Sequence, residues 1–418
     1  MIHATCYMFF FILGSNPQLS IAEIAAVLGK DLDYSQASSD ILLLDAPIVP
    51  ADMQERLAGV IKIGSIIGSV PLPKPSAGIP EEKIANLICE SILADKREKE
   101  KITFGLSVYG IDNPSVKKQI EKRVLGLGLS LKKQLKASGV PVRFASSKET
   151  ALSSVFVLTN HLLTDGGEFV LIPTHKEILI GKTQTAQDFQ AWSRRDYGRP
   201  GRDAKSGMLP PKLARLMVNL TGGNPETDTL LDPFCGSGTI LMEAFLMGYK
   251  HVIGTDVSAK ATQDTKTNLT WLSELYRQNF PPATITTVPA KELRYTSTID
   301  AIATEPYLGP PLSGKESPDQ LIKNIRELEL IYKESFENLA RALTPNGIMV
   351  IVIPVFRINE KEWRLSMVNL CVASGLSIQN PLPTSLPAFF QKRSVGGGIM
   401  YERPDQFVIR EIFVLRKM

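Results

Sequence analysis

Cysteine and histidine are both scarce. The 418-residue chain holds four of each. Cys6, Cys89, Cys235 and Cys371 lie far apart, with no CxxC pair among them. This pattern excludes a readable zinc-ligand set and a disulfide framework, and it suits a reducing compartment. No metal is expected. Charge of one sign is scarce as well: 47 Lys and Arg stand against 43 Asp and Glu, a net +4. Any contact with nucleic acid must therefore come from local basic patches rather than overall charge. Long apolar runs are missing. The one candidate, CYMFFFIL at 6–13, has no basic segment before it and stops at Gly14-Ser15-Asn16-Pro17. It is far shorter than the ~20 residues that span a bilayer. It reads as a buried strand, so no membrane or export segment is expected, and the expected location is the cytoplasm.

What is present is alternation of strands and helices. A strand is expected at 5–13, then a helix at 18–29 with Ser20 ahead of Ile21, Glu23 at capping-box spacing and Gly29 as its stop. Strands follow at 40–44 and 61–70. The Pro- and Gly-rich stretch PLPKPSAGIP at 71–80 marks a boundary. A second module covers 81–175: a helix from Glu81 to Lys96, a strand at 102–109, a long helix at 115–136 and short strands at 142–146 and 154–158. In the long helix Val116, Ile120, Val124, Leu127, Leu131 and Leu135 recur every three or four residues and form one buried stripe. Lys117, Lys118, Lys132 and Lys133 fall mostly off that stripe. They form either a solvated face or a phosphate-contacting surface. Residues 168–182 read as a hairpin. The connector QDFQAWSRRDYGRPGRD carries Arg194, Arg195, Arg199 and Arg202, which make either a plain soluble linker or contacts to a substrate backbone.

Beyond the connector the pattern becomes strand-helix alternation, the mark of a mostly parallel sheet with helices on both faces. Strands are expected at 228–233, 251–256, 284–288, 299–304 and 347–353. The stretch 407–417 alternates like a strand and is expected to close the sheet edge. The segment 389–405 contains a glycine-rich loop with Lys392 and Arg393 that either covers a cleft or simply joins a hairpin. No tandem repeat or low-complexity tract is found.

Chemistry concentrates in TLLDPFCGSGTILMEAFLMG, 229–248. An apolar strand ends in Asp232, the turn Pro233-Phe234-Cys235-Gly236-Ser237-Gly238 follows, and a helix opens at Thr239. Glycines let the backbone approach a ligand, and helix-terminal N–H groups face an anion. Asp256, followed by Val257, lies one β-α-β unit later, where a carboxylate accepts bonds from ribose hydroxyls. The spacing is not G-x-G-x-x-G, and Asp232 just ahead of the loop would repel a pyrophosphate. It suits the cationic amine and sulfonium of S-adenosylmethionine instead. A further strand, IDAIAT, runs into Glu305-Pro306-Tyr307-Leu308-Gly309-Pro310-Pro311. This is either a strand stopped by proline or a loop that holds a nucleobase.

These residues carry a resemblance. DPFCGSGTILMEA with GTDVS downstream is similar to the cofactor half of the class I methyltransferases. RP…GMLPPKLARLMVNL, from Arg199 to Leu220, resembles the preceding element in the THUMP-domain guanosine N2-methyltransferases of tRNA in archaea and eukaryotes. FILGSNPQLSIAEIAAVLG resembles their N-terminal ferredoxin-like domain. The resemblance implies an α/β chain of four parts: a ferredoxin-like domain at 1–72, a THUMP-like RNA-binding domain at 73–175, a linker and hairpin at 176–207, and a Rossmann-like methyltransferase domain at 208–418. It implies S-adenosylmethionine as cofactor and tRNA as partner, with the N2 of guanosine 10 as target; whether the chain is a monomer or an assembly is left open. Asp232, Phe234, Cys235, Gly236, Gly238, Thr239, Asp256 and Val257 fall at the cofactor positions. The family carries Asp-Pro-Pro-Tyr where this chain has IATEPYLG. Aligned without a gap, Glu305 replaces the acid and Gly309 keeps the glycine. Aligned on Pro-Tyr, Thr304 replaces it. The first alignment is preferred. Glu305 is then the acceptor for the amine, a Glu305 or Pro306 carbonyl the second acceptor, and Tyr307 a stacking face. Two other readings compete: N6-adenine methylation of DNA, and a non-catalytic RNA-binding protein that retains the fold.

Overall fold

A computed structural model describes residues 8–72, 78–95, 101–202, 208–403 and 406–418. Residues 5–7 of the first expected strand with Cys6, the centre of the 71–80 boundary, Lys96 at a helix end and the last residues of the connector lie outside them. The chain divides into two compact units. The first comprises Met1–Ile21, Asp31–Phe189 and Pro383–Pro387; the second comprises Ala22–Lys30, Gln190–Leu382 and Ala388–Met418.

The first unit is built from β1 (Met8–Leu13), α1 (Pro17–Leu28, whose second half belongs to the other unit), β2 (Ile41–Asp45), α2 (Pro50–Arg56), β3 (Val60–Pro71), α3 (Glu81–Ala94), β4 (Ile102–Val108), α4 (Pro114–Ala137), β5 (Val142–Phe144), α5 (Ser154–Thr159), β6 (Gly166–Pro173) and β7 (Glu177–Ala186). Its strands form one sheet in the order β2-β1-β3-β7-β6-β4-β5. The sheet runs without interruption across the expected boundary at 72/73. The seam is β7, half of the hairpin expected at 168–182. It pairs antiparallel with β3, Val70 opposite Ile178, and with β6, Leu171 opposite Ile180.

Helix α4 forms as its pattern dictates. Asn113 caps it by accepting from the Val116 amide at 3.2 Å, and Pro114 stands in the first turn, where its missing N–H is harmless. Ile120, Leu127, Leu131 and Leu135 are buried, with Val116 and Val124 packed against the same cluster. Gly128 is required there, because a Cβ would come within 2.1 Å of the Phe144 ring.

Two expectations are corrected. Residues 154–158 form helix α5 instead of a strand, because the Ser153 hydroxyl accepts from the Phe156 amide and caps a turn. Helix α1 starts at Pro17, so Ser20 lies within it; its hydroxyl donates to the carbonyls of Asn16 and Gly59 and caps nothing. The sheet also holds a buried ion pair. Lys62 Nζ donates to Glu168 Oε1 at 2.5 Å and to the Leu152 carbonyl at 2.7 Å. Ser107 and Thr183 donate to the two Glu168 oxygens at 2.5 and 2.6 Å. Every partner lies on the sheet or against it, so this low-dielectric pair has its hydrogen bonds met.

The second unit contains α6 (Phe189–Tyr197), α7 (Pro211–Leu220), β8 (Thr229–Asp232), α8 (Thr239–Leu246), β9 (His251–Asp256), α9 (Ala259–Tyr276), β10 (Thr284–Thr287), β11 (Ile299–Thr304), α10 (Pro318–Ala342), β12 (Leu343–Ile358), β13 (Lys361–Arg364), α11 (Met367–Ala373), β14 (Leu376–Gln379), β15 (Ile399–Tyr401) and β16 (Val408–Lys417). The sheet order is β10-β9-β8-β11-β12-β16-β14, with β13 on β12 and β15 on β16. The strands β10 to β12 along this path are parallel, and β16 is antiparallel to both neighbours. The chain goes from β8 outward to β9 and β10, then returns to β11 on the other side of β8. That reversal opens a crevice at the carboxyl ends of β8 and β11, the usual ligand position in such sheets. β16 is not the sheet edge, as the sequence suggested. The short β14 pairs along its outer edge, and residues 411–415 are buried in an unbroken run, as in a strand covered on both faces. The 389–405 segment includes a hairpin arm: β15 pairs with β16, and Ser394 and Gly398 donate to the buried Glu411.

Candidate functional site

The carboxyl ends of β9, β8 and β11 stand side by side, and each ends in a polar residue. Asp232 closes β8, Asp256 closes β9 and Thr304 closes β11. Asp232 is buried. Its Oδ1 accepts from Thr304 Oγ1 at 2.7 Å and from the Phe234 amide at 3.2 Å. Burial pushes its carboxyl up to about 7, and the nearby Asp256 and Glu305 add to the rise. A cation placed beside it would reverse that shift.

The turn after β8 is held from behind. The Cys235 amide donates to the Thr255 carbonyl, and Thr265 on α9 donates to the Gly236 carbonyl at 2.8 Å. Burial pushes the Cys235 thiol up, so it is an inert wall rather than a nucleophile. Gly236 and Gly238 have φ of +51° and +83°, which favours glycine. A Cβ on Gly238 would meet Thr265 at 2.9 Å, whereas one on Gly236 would point into open space. Asp256 accepts from the Gly236 amide at 3.0 Å and the Ser258 amide at 2.8 Å, one bond per oxygen. Each oxygen keeps acceptor capacity for a ligand hydroxyl. Val257 beside it is exposed and offers an apolar ledge.

Helix α8 has no side-chain cap; its N-cap is Gly238. Arg199 fills the space beside that end. Its Nη1 donates to Thr239 Oγ1, its Nη2 faces the Met208 sulfur at 3.3 Å, and its Nε has no partner. The side chain is 1% exposed. Burial lowers the guanidinium's pKa and Arg202 adds to the effect, against the opposing pull of Asp196 and Glu243. A buried cation at the positive end of a helix is electrostatically incomplete. An anion there would satisfy both. The segment is fixed by Asn268, which accepts from the Gly201 amide at 2.7 Å and donates to the carbonyls of Gly201 and Ser237 at 2.8 Å each. The site thus offers a buried carboxylate, an anion position, a second carboxylate with spare acceptors and an apolar ledge. Those complement a nucleoside that carries an ammonium, a carboxylate and ribose hydroxyls.

Glu305 follows Thr304 in the chain. Arg410 of β16 grips its carboxylate side-on, with Nε–Oε2 and Nη2–Oε1 both 2.9 Å. Both side chains are about nine-tenths buried. Thr304 is fully buried and committed to Asp232. Pro306 is buried; Tyr307 is 56% exposed, and its carbonyl accepts from the Tyr332 hydroxyl at 2.7 Å. Tyr307 is therefore not a core aromatic. Arg410 was missed from the sequence. The available signal was Arg410-Glu411, two adjacent charges inside an apolar strand.

The connector arginines separate into two kinds. Arg194 and Arg202 are exposed. Arg195 and Arg199 are buried, so neither belongs to an exposed phosphate-contacting surface. Arg195 and Arg215 each donate to one oxygen of the buried Glu243, at 2.7 and 2.8 Å, and both guanidinium groups stack on Trp192. In the first unit Lys118 and Lys133 are exposed and Lys132 is half-buried. Lys117 is half-buried and faces Asp40 at 3.4 Å and Glu121 at 4.0 Å. Among the described residues, no group of three or more His, Cys, Asp or Glu is placed to hold a metal ion, and no helix is long and apolar enough to cross a membrane.

Comparison with known proteins points to methyltransferases. The family model of the RMKL-like methyltransferase domain matches residues 199–361. A tRNA (guanine(10)-N2)-dimethyltransferase of Methanothermobacter thermautotrophicus is 33% identical over 150 residues, 35% of this chain and 39% of that protein. The protein of the same name from Pyrococcus abyssi is 38% identical over 140 residues, 33% of this chain and 38% of its own length. A probable tRNA (guanine(10)-N2)-dimethyltransferase of Methanothermococcus thermolithotrophicus is 30% identical over 28% of this chain and 72% of that protein. The alignments thus span about two fifths of the first two relatives. The crystal structure of TrmN from Thermus thermophilus shares the fold, with a TM-score of 0.53 over 99% of this chain and all of that one, at 16% identity.

Proposed function

Because the chain belongs to the family of the tRNA (guanine(10)-N2)-dimethyltransferases, we propose that it is an S-adenosylmethionine-dependent methyltransferase acting on the exocyclic N2 of a guanosine in tRNA, position 10 by kinship. The observation that carries this reading is the convergence of Asp232, Asp256 and the Glu305 loop on adjacent strand ends.

When bound, the cofactor supplies an electrophilic methyl group on a sulfonium. Asp232 would hold its ammonium group and Asp256 its ribose hydroxyls. Arg199 and the first amides of α8 would hold its carboxylate, and Val257 would offer an apolar ledge to its adenine. Phe234, Cys235, Gly236, Gly238 and Thr239 shape the turn.

The target amine is a weak nucleophile, because its lone pair is delocalised into the purine. Glu305 accepts a hydrogen bond from one of its N–H groups, and the Glu305 or Pro306 carbonyl accepts one from the other. These bonds pull the nitrogen towards a tetrahedral shape and aim its lone pair. Pro306 fixes the backbone that presents the carbonyl. Arg410 fixes the carboxylate plane while leaving lone pairs for the amine. The exposed Tyr307 ring stacks on the extruded base. Such positioning supplies up to ~7–11 kcal/mol without a strong base.

We read the first unit as the RNA-binding part, in which ferredoxin-like (1–72) and THUMP-like (73–175) modules share one sheet. Lys117, Lys118, Lys132 and Lys133 of α4 supply its phosphate contacts, together with Arg194 and Arg202 of the connector; 208–418 is the methyltransferase part. The test is methyl transfer from labelled cofactor to unmodified tRNA, with duplex DNA as the control. Label in DNA alone, or no cofactor binding in a calorimetric titration, would end the reading.

A further inference from the structure

A pocket of about 230 Å³ opens between α6, the start of α7 and β15. Its lining combines the rings of Trp192, Tyr197 and Tyr401 with the cations of Lys212 and Arg403 and the carboxylate of Asp196. Nothing in the proposed chemistry uses these residues. The Tyr197 ring is 66% exposed. A guanidinium lies near each tyrosine ring, Arg202 at 5.8 Å from Tyr197 and Arg403 at 5.9 Å from Tyr401. Burial and the neighbouring Arg195 lower the Lys212 ammonium's pKa, which an approaching anion would reverse.

The position is informative. Tyr401 lies opposite Arg410 in the β15–β16 register, and Arg410 is the residue that grips Glu305. The pocket therefore begins one strand away from the arginine that holds the proposed amine acceptor. Its volume is below the ~300–1,000 Å³ that encloses a drug-sized molecule. Tyrosine faces next to cations suit a planar base with an attached phosphate, and they accept any base because every base has a π-face. An isolated phosphate would use the cations alone and leave the rings without a role. Asp196 would repel such a phosphate but can accept from a base N–H or a ribose 2′-hydroxyl.

We propose that this pocket seats one nucleotide of the RNA strand beside the target guanosine, its base against Tyr197 and Tyr401 and its phosphate towards Lys212 and Arg403. The inference rests on the reading of the chain as an RNA methyltransferase. It is tested by binding, which does not depend on turnover. The full chain and its Tyr197→Ala, Tyr401→Ala and matching Tyr→Phe variants are titrated with an unmodified tRNA transcript. A 4-thiouridine-substituted transcript is photo-cross-linked to the wild-type protein, and the linked peptides are mapped. Cofactor affinity, measured in parallel, reports whether each variant is folded.

Each alanine variant is expected to bind tRNA roughly tenfold more weakly, the scale of one base–ring stack, with cofactor affinity retained. The phenylalanine variants are expected to stay within about twofold of wild type, because the ring and not the hydroxyl does the stacking. Cross-links are expected within 192–197 or 401–403. Wild-type tRNA affinity in both alanine variants, or cross-links confined to other segments, would overturn the inference. RNA binding that follows the expected pattern without methyl transfer would contradict the proposed reaction and leave the pocket assignment standing.

Discussion

Arg410 holds Glu305 through two hydrogen bonds of 2.9 Å, from a strand that lies two places away from the one Glu305 follows. The carboxylate at the mouth of the crevice is thus not a free side chain. Its plane is set by a rigid guanidinium fork on β16, and β16 is itself anchored between β12 and β14. Glutamate is one methylene longer than aspartate, and the arginine fixes where that length points.

Removing either partner should therefore slow turnover and spare the cofactor. Glu305→Ala is expected to lower kcat by at least about 100-fold, within the range attributed to positioning, with the cofactor dissociation constant unchanged. Arg410→Ala should give a similar loss. Arg410→Lys should not restore the rate, because a single ammonium cannot reproduce the paired geometry. Single-turnover rates and calorimetry check these outcomes. Wild-type turnover in Glu305→Ala would point to Thr304 or another acceptor.

Asp232 makes a pH prediction. Its folded pKa of about 7 lies above the ordinary 3.8, so the folded state holds a proton that the unfolded state has lost. Stability from this group is full below pH 3.8 and falls as pH rises to about 7. Asp232→Asn should remove that slope and stabilise the cofactor-free protein at pH 8 by up to about 4 kcal/mol. A cationic ligand should reverse the shift, so wild-type cofactor affinity should rise with pH up to about 7, and the Asn variant should lose that dependence. Denaturant titrations and calorimetry at pH 5, 6, 7 and 8 measure both.

Arg199 assigns one ligand group. Arg199→Met should weaken S-adenosylmethionine binding by roughly 10–100-fold, the worth of a charged hydrogen bond. The decarboxylated cofactor should bind the variant and the wild type nearly equally. Equal losses for both ligands would mean that Arg199 only supports the fold around α8.

In the first unit, Lys62→Met should destabilise by about 3–5 kcal/mol, because it leaves Glu168 buried without its cation. Lys62→Met with Glu168→Leu should lose less than the single substitution, although Ser107 and Thr183 are then left without their acceptor. Chemical denaturation midpoints separate these cases. A double variant weaker than the single would show that the hydroxyl bonds matter more than the charge.

Local pattern made much of this molecule legible. The α4 stripe, the parallel strands and the glycine turn with its two acids all depend on neighbours in sequence, and periodicity and spacing reveal them. Residues 154–158 were misread because a short apolar run fits a strand or a helix equally well, and a single hydroxyl cap at Ser153 decided it. The sheet that joins residues on both sides of 72/73 was hidden because β3 and β7 are more than a hundred residues apart. The burial of Arg195 and Arg199 was hidden for the same reason: Glu243 and Thr239 meet them only in the fold. An arginine-rich connector read alone looks solvated.

The most direct test of the central claim is nucleoside mass spectrometry of unmodified tRNA incubated with the wild-type chain and S-adenosylmethionine. N2-methylated guanosine, lost with Glu305→Ala while cofactor binding persists, is the result expected. N6-methyladenine in duplex DNA without modified guanosine in tRNA, or bound cofactor with no transfer to any guanosine, would contradict it.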